Sequence, residues 1–546
     1  MSFVKRFLGS ALAAATAVSV CAVAPPTAAS PTRPGEPSFA SAVRGLAPQV
    51  HPTAPASGHA SAPAAAPSKG ARLRVPSGAA RTAQAPSPQV AASRSTSTGT
   101  LLHDFNGVSS RDSEVTNFNA TFEPPDQGLC AGNGFVLEAV NSAYSIYRPN
   151  GTVVRGPFNV NDLFDEGAAE FTSDPRCYFD PSTRRWFATI LFLNSTFTEG
   201  RIDIAVSTTS DPTGLWRQYR IDATDPGGRG CPCFGDQPLL GIDHDNIYLS
   251  TNEFSILGPQ FNGAQLYAVA KSDLVRGKAS AHFVHFGDLT SGGSPAASVQ
   301  PAITTGSPGA EYLLSSLDPD GTGDHRIDVW ALSHGERVAS GGMPVLTSKV
   351  VRSEPYAFPP PADQKGSPRQ IDSGDDRMQQ VQFINGRIWG ELTTGVTLPG
   401  DTAERAGAAW FAVRPQLAGD GRLTGGRVER QGYVTMPGNS VIYPALQADA
   451  AGRAAMVFTV TGSDRFPSAA FATLPTTGSD FGPVRVAAAG TGPYKAGTRW
   501  GDYSFAVLDP RADAVWLATE YVPPKPSQTS TRQRNWGTRV LEVGLR

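Results

Sequence analysis

One short pattern recurs along this chain and limits its fold more than any other feature. It is an anchor residue, a short apolar strand, a polar turn and a second strand with alternating apolar positions. "DQGLCAGNGFVLEAVNSAY" begins at Asp126 and "DPRCYFDPSTRRWFATILFLNS" at Asp174. "DQPLLGIDHDNIYLSTNEF" follows from Asp236, "VQPAITTGSPGAEYLLSSLD" from Val299 and "DRMQQVQFINGRIWGELTTG" from Asp376. The last two, "IYPALQADAAGRAAMVFTVTG" and "DYSFAVLDPRADAVWLATEY", start at Ile442 and Asp502. Period-2 alternation either side of a polar turn reads as a β-hairpin. The anchors lie 48, 62, 63, 77, 66 and 60 residues apart, and each interval has room for two further strands. "RIDIAVSTT" and "LWRQYRID" are such a pair. Helical periodicity is nowhere sustained, and the 57 Gly and 46 Pro suit a turn-rich β chain.

Hairpins repeated at this spacing predict an all-β fold, a seven-bladed β-propeller, with six or eight blades as alternatives. Only one clear strand, "TRVLEVGL", follows the last hairpin, so a four-stranded seventh blade is one strand short. "TLLHDFNG" at 100–107 is expected to supply it. Closing the ring in that way removes the exposed edges an open sheet must otherwise protect.

The ends of the sequence bear on compartment. Lys5 and Arg6 precede an apolar run from Phe7 to Ala24 and the small residues Thr27-Ala28-Ala29, so 1–29 reads as a secretory signal peptide. Residues 30–97, rich in Ala, Pro and Ser, are expected to be a disordered linker, and 98–546 a single propeller domain. "LPTTG" at 474–478 lacks the apolar stretch and basic tail of a wall-anchoring signal. The expected location is therefore extracellular. A net charge of −2 offers no basic field for nucleic acid, and no other apolar run is long enough to span a bilayer. A monomer is expected.

Cys21 leaves with the signal peptide, and the remaining Cys130, Cys177, Cys231 and Cys233 are an even set that implies disulfides in an exported protein. Cys130 and Cys177 fall early in inner strands of adjacent blades, where a bridge is sterically reasonable. Cys231 and Cys233 would then bond across Pro232, with redox chemistry as the sharper alternative.

In an antiparallel hairpin the start of the first strand and the end of the second share one edge. Asp126, Asp174, Asp236, Asp376 and Asp502 are therefore expected around one mouth of a central channel, with Asn141, Asn252, Glu253 and Glu520 beside them. A ring of Asp at strand starts also has a purely architectural reading, because such side chains accept backbone hydrogen bonds. Arg377, Arg499, Trp500 and Tyr503 break the repetition, and Arg499 and Trp500 suit an anion or a sugar ring. Glu253, Glu520, Asp236 and Tyr503 are the candidate catalytic groups for glycoside cleavage, Tyr503 with Glu520 as its base. Asp318, Asp320, Thr322 and Asp324 in "DPDGTGD" place oxygens at alternate positions, as a calcium loop requires.

"TSDPTGLW" at 209–216 resembles the Asp box of sialidase-like propellers, with Gly214 one position late. "PPDQGLC", "CPCFGDQPLLG", "YLSTNEF" and "RWGDYSFAVLDP" are similar to secreted bacterial propellers of unassigned activity. The resemblance covers about 120–546 and implies the fold and export. It does not imply sialidase activity, since an early Arg-Ile-Pro-type motif is missing and only Arg111 lies between the linker and the first anchor. The expected function is binding of an extracellular glycan or cell-envelope component at the polar mouth. The alternatives are a glycoside hydrolase or polysaccharide lyase using the same carboxylates, and a structural protein-interaction platform.

Overall fold

The computed structural model describes residues 37–45, 87–91 and 95–545, apart from 118–121, 168–169, 226–227, 229, 259, 307, 319–320, 402, 510–512 and 526–533. The expected signal peptide lies outside the described residues.

Each sequence repeat becomes a four-stranded antiparallel meander whose first two strands are the hairpin read above. The meanders cover 128–158, 171–222, 233–291, 300–356, 381–434 and 440–488, called here the first to sixth sheets. In the seventh sheet Phe505–Leu508, Ala514–Tyr521 and Gly537–Gly544 are completed by Thr100–Ser109, whose Phe105 sits opposite Val540. The first strands of successive sheets pack on one another, and that of the seventh packs on that of the first. The fold is a β-propeller.

The inner strands are buried on both faces because each sheet is covered by a neighbour on either side. The core is accordingly a set of layers between sheets. Trp186 and Cys177 of the second sheet pack with Leu137 and Tyr144 of the first, and Trp389 and Trp410 of the fifth with Met456 and Phe458 of the sixth. Leu129 and Val136 of the first meet Phe505, Trp516 and Val540 of the seventh in the same manner. Full burial of side chains this size contributes roughly 1.5–3 kcal/mol each.

Two of the anchors, and the residues beside three others, share a backbone feature. Asp126, Asp174, Gln237, Ser298 and Tyr443, all at the entry to an inner strand, take φ values of 48°, 58°, 51°, 45° and 52°. The left-handed region is costly for most side chains and least so for Asp and Asn. Ladder registers slip at three of these points, between Ser173 and Arg176, Asp236 and Leu239, and Ile442 and Ala445. An irregularity of this kind kinks the strand as it enters the centre.

Cys130 is bonded to Cys177 with Cα atoms 5.5 Å apart, and Cys231 to Cys233 at 4.5 Å. The first bridge staples the inner strands of adjacent sheets, and the second closes a small ring ahead of Phe234. The segment expected to be a linker touches the propeller at several points. Its strand Pro37–Gly45 runs antiparallel to Ser280–Ser291, Gln89 bridges Thr397, and Ser97 bonds Thr473 through their hydroxyls.

Candidate functional site

First-strand starts and second-strand ends do meet at one edge, as in the pairings Asp236 with Asn252 and Gly235 with Glu253. The residues expected at this mouth fall into three groups once their contacts are followed.

The first group clips sheet to sheet. Asn141 Oδ1 accepts the Asp174 N–H at 2.7 Å and the Ser173 hydroxyl at 3.0 Å, while its amide donates to Asp126 Oδ2 at 2.8 Å. Asp126 Oδ1 accepts the Asp502 N–H at 2.7 Å, which carries the chain of bonds into the seventh sheet. Asn252 repeats the device, accepting the Ser298 N–H at 2.8 Å. In both cases a second-strand Asn secures the left-handed residue of the next sheet. Asp126, Asp174, Asn141 and Asn252 are fully buried. Polar atoms of these four, expected to bind a ligand, are engaged in contacts between sheets.

The second group fills the centre. Tyr503 of the seventh sheet passes over the first and donates its hydroxyl to the Pro175 carbonyl of the second at 3.3 Å. The Arg176 guanidinium lies 3.4 Å above the Tyr503 ring. Arg176 is buried, which lowers its pKa, and its Nε and Nη2 have no hydrogen-bond partner among the described residues. Glu520 accepts instead from Gln127 Nε2 at 2.7 Å, and burial holds its carboxyl well above the usual range. The expected Tyr503–Glu520 pair is not formed, because the phenol has crossed to another sheet. Glu253 accepts the Thr251 hydroxyl at 2.5 Å, and desolvation pushes its pKa up to about 8. Glu253 and Glu520 belong to a larger set. Glu138, Glu311 and Glu391 occupy second strands of other sheets, are likewise buried, and are likewise raised by desolvation. A buried acid therefore recurs on the second strand of five of the sheets. Trp500, expected against a sugar ring, is also in the core: its indole donates to Thr459 Oγ1 at 3.0 Å and meets Tyr494 edge-on.

The third group stays in reach of water. Arg377, 15% exposed, forms a fork on Asp375 at 2.5 and 2.6 Å and extends to Gln237 Oε1 of the third sheet at 2.5 Å, passing over the fourth. Arg499 and Asp502 pair at 2.5 Å and are 24% and 22% exposed. Carboxylates around both guanidiniums outweigh burial and raise their pKa values, with Asp375 first for Arg377 and Asp502 first for Arg499. Asp236 is half-buried, and its charge also acts on Arg377. Asp376 turns inward instead, where desolvation and the charge of Asp318 raise its pKa.

The loop expected to hold calcium closes on itself. Asp318 accepts the Thr322 and Gly323 N–H groups at 2.7 Å each, and Asp324 turns away to form a fork on Arg326 at 2.6 and 2.9 Å. Asp320 lies outside the described residues. Among the described residues no cluster of three His, Cys, Asp or Glu is arranged to hold a metal.

Sequence reading missed the aromatic residues of this face. Phe234, half-buried two residues before Asp236, stacks on Phe254 at 5.8 Å, and Phe254 meets the half-buried Phe261 at 5.4 Å. Phe122, also half-buried, packs on Phe171 and the same small cluster. The signal was present as aromatic residues close to anchors, but it was masked by the hairpin alternation.

No family model matches the chain, and no curated protein matches it. Among solved structures it is similar to a Penicillium chrysogenum α-L-arabinanase complexed with arabinobiose, at 10% identity over 80% of this chain and 98% of that one, TM-score 0.35. Phage phi92 endosialidase matches at 8% identity over 82% and 70%, TM-score 0.32. Drosophila Plexin A, solved in complex with Semaphorin 1b, matches at 11% over 83% and 88%, TM-score 0.31. At these identities no activity passes from them to this chain.

Proposed function

We propose that this chain is an exported propeller that binds an extracellular glycan or cell-envelope component on the charged mouth. In this reading the seven meanders are seven blades of a ring closed by Thr100–Ser109, with 1–29 as leader and 30–97 as linker. The observation that carries it is that one edge of the sheets holds both partly exposed charge and half-buried aromatic rings, Phe234 lying two residues before Asp236 on the same strand. Asp236, Arg377, Arg499 and Asp502 supply donors and acceptors for hydroxyls or an acid group, and Phe234 and Phe261 supply flat apolar faces. Sites for small ligands combine a few placed polar groups with apolar walls in this manner.

Binding is favoured over hydrolysis because, of the candidate catalytic acids, Glu253 and Glu520 are fully buried and only Asp236 is partly exposed. A glycan array on the secreted mature protein, with mass spectrometry of each bound glycan, tests the reading. Unaltered ligand, retained by wild type and lost in Arg499→Ala and Phe234→Ala, is the expected result. A new reducing end or unsaturated product would replace it with the enzyme reading, and an empty array would leave the interaction platform.

A further inference from the structure

The outer strands of the fourth and fifth sheets, Val345–Tyr356 and Leu423–Val434, run side by side with no ladder between them among the described pairings. Two side-chain ties span them. The Leu423 N–H donates to Thr347 Oγ1 at 3.0 Å, and the Glu354 N–H donates to Gln431 Oε1 at 2.8 Å. Between the ties opens a cleft of 870 Å³. Val351 and Val428 lie along it, and Gly425-Gly426 leave a stretch of main chain bare on one wall. At Gly426 the space across the cleft is small: a Cβ there would stand 3.4 Å from Val351.

The charge of the lining is one-sided. Lys349, Arg352 and Arg427 face it with His325, against Glu354 as the lone acid. Arg427 is paired with Glu429 at 2.6 Å, whereas Lys349 and Arg352 are exposed and have no acidic partner among the described residues. No Phe, Tyr or Trp lines the cleft, so a neutral sugar finds no ring to stack on. What the walls do offer is sheet edge. The edge of an outer strand presents main-chain donors and acceptors at alternate residues, a template that an extended peptide can pair with.

We propose that this cleft takes an extended acidic polypeptide segment, added as a strand at the edge of 345–356 with its carboxylates against Lys349, Arg352 and Arg427. The site is separate from the mouth and does not rest on the glycan reading. An anionic polysaccharide would meet the same cations but has no backbone amides to pair with the edge, which is what separates the two ligands.

The test is fluorescence polarisation of the mature protein with a fluorescein-labelled octaglutamate, which as an added strand carries carboxylates on both of its faces, since Lys349 and Arg352 stand three residues apart in an unbroken ladder. Two probes run beside it: the same peptide N-methylated at alternate residues, and polygalacturonate as competitor. Expected are saturable binding of the plain peptide, a loss of at least tenfold in Lys349→Glu/Arg352→Glu, and a comparable loss on N-methylation. Affinity should also fall with rising salt. Because both substituted side chains are exposed, an unchanged denaturation midpoint is expected for the double variant and shows that it is folded. The proposal is overturned if the plain peptide does not bind, if charge reversal leaves binding unchanged, or if the methylated peptide binds equally. Displacement of the peptide by polygalacturonate at matched charge would also overturn it, in favour of a polysaccharide site.

Discussion

Glu253→Gln should remove one of the pH effects on stability. Burial raises the Glu253 carboxyl from 4.5 to about 8 in the folded chain. Between those two values the folded state keeps a proton that the unfolded state has released, so stability falls as pH rises. At 1.36 kcal/mol per pH unit, the loss accumulates to about 5 kcal/mol by the time pH has passed the folded value. Glutamine has the same shape, keeps an oxygen for the Thr251 hydroxyl and never ionises. The wild-type side chain is neutral near pH 5, and there the substitution should cost little. By pH 8 the variant should have gained about 4 kcal/mol on wild type relative to its standing at pH 5. Denaturant midpoints measured at both pH values, with slopes compared to confirm that the same transition is followed, give the difference directly. Parallel behaviour of the two proteins would refute the reasoning, since it would mean that the buried carboxyl either ionises freely or finds a counter-charge.

Three further outcomes follow from the contacts described. Replacing Cys130 and Cys177 by Ala should cost about 4 kcal/mol through loop entropy, given their separation of 47 residues, against ~1.5 kcal/mol for Cys231 and Cys233, read as calorimetric Tm. Asn141→Ala strips the Asp174 N–H of its buried acceptor and should destabilise by about 1–3 kcal/mol in chemical denaturation. Tyr503→Phe loses one hydroxyl donated at 3.3 Å and keeps the ring under Arg176, so it should cost no more than about 1 kcal/mol and leave glycan retention on the array unchanged.

The sheets were legible because a hairpin is a local object. Alternation, turn residues and the recurring anchor all sit within some twenty residues of sequence, and the strands at Phe171–Asp180 and Arg185–Leu193 fall where "DPRCYFD" and "RRWFATILFL" place them. The missing strand of the last sheet was legible by count, and Phe105 duly lies opposite Val540. The site was much less so. An Asp before a strand reads the same whether it faces solvent or, like Asp126, holds the next sheet's amide. Which of two adjacent acids a guanidinium selects is equally invisible: Arg377 takes Asp375 and leaves Asp376 to the interior. Tyr503 and Pro175 meet across the centre at a separation of 328 residues, and nothing local announces that. Side-chain reach across an axis is a property of the assembled ring.

The pairing of Thr100–Ser109 with Gly537–Gly544 has a consequence in time. The strand that begins the described propeller finds its partner only when the chain's last strand arrives, with His103 set against Glu542 at 2.6 Å. Until then the seventh sheet lacks its fourth strand and the first sheet has only part of its neighbour. The entropy of closing so long a loop grows only logarithmically, so length is no great obstacle to stability. It does bear on order: contacts at large sequence separation form slowly, and a partly assembled sheet leaves its edges open to other chains meanwhile. Truncation at the last strand should therefore yield aggregation rather than a smaller folded protein. In a cell the completed fold has to wait until the strand Gly537–Gly544 has been made and can meet Thr100–Ser109.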